Sequence, residues 1–182
     1  MTSSVIYQTA GNGLVGHWSL DETTGSTASD STASGNTLNM QGGMTPAANT
    51  VTGKIQSGFQ FDGSGEYLEN TSPTGLPNGD DAFTISAWVN SYTLNDRDGI
   101  VGWGQQVTGR ASILTIEPPT GHLRYTTHGS GYDWDSSATL VAGQWHHVAV
   151  THEDNSKDVK FYLDGQYIDT ATNVNAININ QN

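Results

Sequence analysis

A chain of 182 residues, 34% of them hydrophobic, is sized for one domain with one core, and no apolar run is long enough to span a bilayer as a helix. Eighteen acidic residues against six basic ones give a formal net charge of −12, which argues against nucleic acid and anionic membrane as partners. Without cysteine there are no disulfides, thiolate metal sites or cysteine nucleophiles. Thirteen of the acids are Asp and five are Glu, a skew towards turns and hard-cation sites. The chain does not open with a basic region followed by an apolar one, so no export signal is read at its start.

Taken in order, residues 1–12 read as an N-terminal extension and residues 13–182 as the domain. "GLVGHWSLDE" starts the strand-like runs, and "AFTISAWVN" continues them by alternating Phe83, Ile85, Ala87 and Val89 against Thr84, Ser86, Trp88 and Asn90. "DGIVGWG", "ASILTIEP" and "GHLRYTTHG" read as further strands. In "QWHHVAVTHE" a period of two sends Trp145, His147, Ala149 and Thr151 to one face, and His146, Val148, Val150 and His152 to the other. The adjacent histidines therefore point apart and cannot chelate one ion. "KDVKFYLDGQYI" alternates on either side of Asp164-Gly165, a pair suited to a two-residue type I′ hairpin. Gly, Asn, Asp, Ser and Pro clusters fall between the runs, and no window carries a helical repeat. The pattern predicts an all-β, two-sheet antiparallel sandwich.

The order of these segments resembles a known family. "GLVGHWSLDETTGSTASDSTASGNTLNM", "GKIQSGFQFDGSGEYLEN", "AFTISAWVN" and "LVAGQWHHVAVTHEDNSKDVKFYLDGQYI" are similar, in that order, to the laminin-G-like jelly-roll domains of the concanavalin A-like lectin and glucanase superfamily. The resemblance implies a jelly-roll fold. Family members continue into a closing strand bearing an Asp-Glu pair. Here "DTATNVNAININQN" stands in that place, which implies a closing strand that is absent, replaced or supplied by another chain.

Three kinds of chemistry follow from that resemblance and from the residues. The superfamily's glucanases carry Glu-x-Asp-x-x-Glu on one strand, and no such triplet occurs among Glu22, Glu66, Glu69, Glu117 and Glu153. No Gly-x-Ser-x-Gly elbow is present either, so the expectation is a non-catalytic domain. Asp21, Asp30 and Asn36 lie on the segment that resembles the family's calcium loop. Asp62 is a candidate to complete that site, so Ca2+ is the expected cofactor, against an Asx-turn loop without metal. "LNDRDG" fails as a calcium helix-loop-helix motif because position twelve is Gln105, leaving Asp96 and Asp98 for a loop site.

For ligand binding, Trp103, Tyr132 and Trp134 stand in Gly-rich, loop-like surroundings beside Asp133 and Asp135 in "GSGYDWDSS". Asp96 adds a further carboxylate to this ligand set, Arg97, Arg110 and His128 add donors, and the competing reading makes the tryptophans core caps. Trp18, Trp88 and Trp145 read as packing. The expected function is carbohydrate or glycoconjugate binding and adhesion, as a calcium-stabilised module of a larger secreted or cell-surface protein. The alternative is a structural or protein-binding spacer.

Overall fold

The computed structural model describes the backbone of residues 2–9, and residues 13–154, 156, 158–172 and 177–180 in full. In chain order, β1 (Thr2–Thr9) and β2 (Gly13–Trp18) form a hairpin, followed by the short β3 (Thr27–Ala28) and β4 (Leu38–Gln41). One turn of helix, α1 (Pro46–Asn49), is capped by the Thr45 hydroxyl and leads into the hairpin of β5 (Thr50–Thr52) and β6 (Ser57–Gln60). Next come β7 (Tyr67–Glu69), β8 (Phe83–Val89), β9 (Asp98–Gly104), β10 (Ala111–Glu117) and β11 (His122–Thr126). The described strands end with β12 (Asp133–Thr139), β13 (His146–His152), β14 (Val159–Leu163) and β15 (Gln166–Ala171).

These strands make an eight-stranded sheet in the order β15-β14-β13-β8-β1-β6-β5, with β2 also paired to β1. They also make a four-stranded sheet, β12-β11-β10-β9, and a small one, β3-β4-β7. Every pairing between named strands is antiparallel. The fold is the expected all-β sandwich.

Alternation decides which side of each strand enters the core. Phe83, Ile85, Ala87 and Val89 of β8 are buried, as are His146, Val148, Val150 and His152 of β13. Their register pairs Val150 with Ile85 and Val148 with Ala87, so the two strands present one apolar surface. Phe83 then crosses to the other sheet. Its ring lies edge-on to Trp103 of β9 at 5.4 Å and 6.0 Å from Tyr125 of β11.

The two buried histidines are held by hydrogen bonds at the ends of β13. The Val141 N–H donates to His146 Nε2 (3.1 Å), so the ring proton sits on Nδ1 and is donated to Asp164 Oδ2 (2.8 Å). His152 has its Nε2 2.9 Å from Asp80 Oδ1 and its ring 5.3 Å from Phe83. Both are structural.

Two segments differ from the sequence expectation. Residues 1–12 include β1, whose backbone pairs with β8 on one side and with β2 and β6 on the other. "SSVIYQT" hides this because its run of Val, Ile and Tyr shows no clear alternation. "GSGYDWDSS", expected as a loop, runs into the edge strand β12. There the inward positions are Trp134, Ser136 and Ala138, and two of these are too small or polar to give a hydrophobic period. Of the C-terminal stretch, residues 177–180 place Ile177 and Ile179 in the core, with Ile179 bridged to Gly79.

The expected hairpin turn is present, with Asp164 at φ 51° and Gly165 at φ 79°. Burial opposes ionisation of Asp164, but hydrogen bonds from the His146 ring and the His147 N–H outweigh it and hold the carboxyl below the usual range. Replacing Asp164 with Ala removes both bonds and strains a left-handed residue. Chemical denaturation should show a loss of about 2 kcal/mol. Asn, which tolerates that conformation, should restore part of it.

Candidate functional site

The loop expected to hold calcium is built around Asp30. Its Oδ1 accepts from the N–H of His17 (3.0 Å) and Thr32 (2.9 Å), and its Oδ2 from the Thr32 hydroxyl and the Asn36 N–H (2.8 Å each). Asn36 is 2% exposed and its side chain donates to the carbonyls of Val15 and Thr74 while accepting from Thr74 N–H. Asp21 caps Ser57 N–H, and Asp62 closes an Asx turn onto Ser64 N–H. Among the described residues, no three His, Cys, Asp or Glu side chains gather into a metal-binding group. A calcium ion needs six to eight oxygens aimed at it. Here the oxygens of Asp30 are aimed at protons, so the donor set does not fit the ion and the loop closes on itself.

Burial opposes the Asp30 charge, yet the surrounding N–H and O–H donors prevail and its carboxyl titrates below the ordinary range. A depressed folded-state value means that the stabilisation is complete above the unfolded value and is lost as pH falls through the folded one. Asp30→Asn should therefore lower stability by about 2 kcal/mol at neutral pH and much less near pH 3, read by urea unfolding at both pH values. The loss should be the same in calcium and in chelator.

A second cluster lies on the outward face of the four-stranded sheet. Cross-strand register sets Thr115 of β10 beside Arg124 of β11, and Arg124 beside Asp135 of β12, with Thr126 beside Asp133. Glu117 projects from the end of β10 and is only 6% exposed because two guanidinium groups cover it. Arg97, from the loop before β9, meets both of its oxygens (Nε–Oε1 2.6 Å, Nη2–Oε2 2.8 Å), and Arg124 Nη1 approaches Oε2 at 3.1 Å. The Thr115 hydroxyl donates to Oε1 at 2.9 Å. Arg124 then forks onto Asp135 (Nε–Oδ1 2.5 Å, Nη2–Oδ2 2.8 Å) and lies 3.7 Å from Asp133.

Of these groups, Arg97, Thr115, Glu117, Arg124 and Asp133 line a groove of about 320 Å³ together with Ile113, Thr126 and the His128-Gly129-Ser130 segment. Gly129 is required there. Its φ is 108°, and a Cβ would stand 2.9 Å from the Thr108 side chain.

The structure thus brings together Arg97, Asp133 and Asp135 of the expected ligand set, with His128 at the edge. Tyr132 is half-buried and edge-on to Trp134 (6.4 Å). Trp134 stacks on the buried Tyr125 (6.4 Å, 26°) from the inward side of β12, so it caps the core. Trp103 is 8% exposed and donates its Nε1 proton to the Pro77 carbonyl, which makes it a core residue of β9 and not a loop aromatic. Asp96 stays exposed in the loop beside Arg97, Asp98 begins β9, and Arg110 is exposed at the β9–β10 connection.

Glu117 and Arg124 were not among the expected residues. The signal for them was present in "ILTIEP" and "HLRYTT", where alternation puts Thr115, Glu117, Arg124 and Thr126 on one polar face.

The hydrogen-bonded Arg124 guanidinium holds the Asp135 carboxyl below the usual range, and Asp135 in turn strengthens the Arg124 charge. By the same sign as Asp30, this pair stabilises above about pH 4 and fails as pH falls through the depressed Asp135 value. An Asp135→Asn variant should show a shallower loss of melting temperature between pH 5 and pH 2.5 than the parent chain, by differential scanning calorimetry (roughly a few degrees for 1 kcal/mol).

Residues 62–182 match the sequence model of the concanavalin A-like lectin/glucanases superfamily. No curated protein matches the chain. Among solved structures, domain 4 of AbnA, a GH43 extracellular arabinanase from Geobacillus stearothermophilus, in complex with arabinotriose, shares 20% identity. That match covers 96% of this chain and 80% of that one, with a TM-score of 0.63. An S-layer domain-containing protein from Clostridium thermocellum matches at 22% identity, covering 87% and 72%, with a TM-score of 0.48. A Bacteroides ovatus protein, provisionally described as carbohydrate binding, matches at 20% identity and a TM-score of 0.43 over 58% of this chain; the chain spans 30% of that protein's length. At this identity the arabinanase domain shows a shared fold, and the other two add no argument. With more than half of its length matched by the family's sequence model, in the strand order the fold requires, the chain belongs to the concanavalin A-like lectin/glucanases superfamily.

Proposed function

We propose that this domain is a carbohydrate-binding module without catalytic activity, part of a larger secreted or cell-surface protein, and that it binds neutral sugar in the Arg97–Glu117–Arg124 groove. The observation that carries the reading is the pair of guanidinium groups, Arg97 and Arg124, held in fixed orientation beside a groove by the buried Glu117 carboxylate, with the exposed carboxylate of Asp133 next to them. Sugars present vicinal hydroxyls that both donate and accept, and planar, pre-oriented carboxylates and guanidinium groups match such pairs. Fixing those groups before binding lowers the cost of ordering them on contact.

The balance of charge favours a neutral ligand, since two guanidinium groups face three carboxylates in a chain of net charge −12. Both oxygens of Glu117 already accept from guanidinium and hydroxyl donors, which suits a rigid binding group better than a proton donor to a glycosidic oxygen. Support from outside the chain is the shared fold with an arabinanase domain solved in complex with arabinotriose. That domain belongs to an extracellular protein. No described helix here is long and apolar enough to cross a membrane.

Isothermal titration with arabinotriose, xylotriose, cellotriose and galactotriose tests the reading. At least one should bind in the micromolar to millimolar range, and Arg97→Ala or Asp133→Ala should weaken it at least tenfold. Asp133 is 46% exposed, so its loss should change stability by about 1 kcal/mol or less, whereas Arg97→Ala uncovers the buried Glu117 carboxylate and should cost more, so each titration is run well below the variant's own melting temperature. Binding that survives both substitutions would place the sugar elsewhere. Release of reducing ends from any of the four would overturn the non-catalytic part.

A further inference from the structure

The sequence assigns Trp88 and Trp145 to packing, yet neither is in the core. Trp88 shares the outward side of β8 with Thr84 and Ser86, and its ring meets His147 of β13 at 5.3 Å. Trp145 immediately precedes β13 on the same outward parity and is half-buried. Opposite them stands the exposed β5–β6 turn. Its Lys54 holds Nζ 5.1 Å from the centre of the Trp88 ring, and its base is pinned by the Asp21–Ser57 hydrogen bond (2.8 Å). Between turn and tryptophans lies a cleft of about 260 Å³, edged by His17, Asp21, Lys54 and Gln56.

We infer that this cleft is a second sugar-binding site, on the opposite outer face of the sandwich from the Arg97–Glu117–Arg124 groove, and that it takes one residue of a neutral glycan. The inference rests on the carbohydrate-binding reading for its ligand class. Its geometry stands on separate residues.

Ring surface, an amide, an ammonium, an imidazole and a carboxylate within one small concavity supply both things a sugar presents: an apolar C–H face and a rim of hydroxyls. The cleft is smaller than the ~300–1,000 Å³ of drug-sized pockets, which suits one ring of a chain. Lys54 and Asp21 carry opposite charges, so neither a uronic acid nor an amino sugar is selected over a neutral unit.

The groove and the cleft belong to outward faces of two sheets packed about 10 Å apart, back to back. A trisaccharide seated on one face cannot turn round the sandwich to reach the other. Each domain therefore holds two chains, and a polysaccharide carrying many sites is cross-linked.

Titration of the intact domain with the tightest binder among arabinotriose, xylotriose, cellotriose and galactotriose decides this through stoichiometry. Two sites are expected, falling to one in Trp145→Ala and to the other one in Arg97→Ala. Because Trp145→Ala could perturb β13, the exposed double variant Lys54→Ala/Gln56→Ala is run alongside and should weaken the same site at least tenfold with an unchanged melting temperature. One site lost in Arg97→Ala and untouched by the cleft variants overturns the inference and leaves the groove standing. One site lost in the cleft variants and untouched by Arg97→Ala supports the inference and overturns the groove. No heat with any of the four sugars overturns both.

Discussion

Phe83 is the contact on which the rest depends. It leaves β8 inward, meets Trp103 edge-on, reaches Tyr125 and lies against His152 of its own sheet. One ring therefore ties β8, β9, β11 and β13 together across the sandwich. Burying a side chain of this size contributes about 2–3 kcal/mol in area alone, and its neighbours add well-oriented ring contacts. With the inward positions of these strands committed to the core, period two leaves every second residue facing outward. Those residues are not committed to the core, and on the two large sheets they carry the chemistry.

That division explains why the same alternation can hide or reveal a residue. The strands "AFTISAWVN", "DGIVGWG", "ASILTIEP" and "QWHHVAVTHE" were legible because apolar residues mark their inward positions. The Asp164-Gly165 turn was legible because only residues tolerant of positive φ suit it. β12 was not legible, since its inward Ser136 and Ala138 give no hydrophobic signal and its outward Asp133 and Asp135 suggest a loop. β1 was passed over because its apolar residues are consecutive.

Function was harder to read than fold for a related reason. A tryptophan in a strand pattern invites a core assignment, and for Trp18 and Trp103 that is where the side chains lie. Trp88 shows the same residue type on the other parity, among Thr and Ser, and parity is the feature that separates the two cases. Glu117 belongs to no catalytic triplet, yet its parity with Thr115 places it on the polar face. The groove also depends on Arg97, twenty positions away on another strand's approach loop, and no local pattern joins those two. Conversely, the Asp30 loop has the composition of a cation site, and only the directions of four hydrogen bonds show that its oxygens are already engaged.

On this account sugar contacts sit over the outward faces of the two sheets, edged by Arg97 and by the Lys54 turn, and not on the Asp30 loop. Amide and indole chemical-shift mapping during titration with a bound trisaccharide tests it most directly, because it reports position without any substitution. The account predicts shifts at the amides of Arg97, Glu117, Arg124 and Asp133, a second group at the indole protons of Trp88 and Trp145, and still signals from the buried Trp18 and Trp103. Shifts confined to the Asp30 loop and its neighbours, with both sheet faces silent, would contradict it.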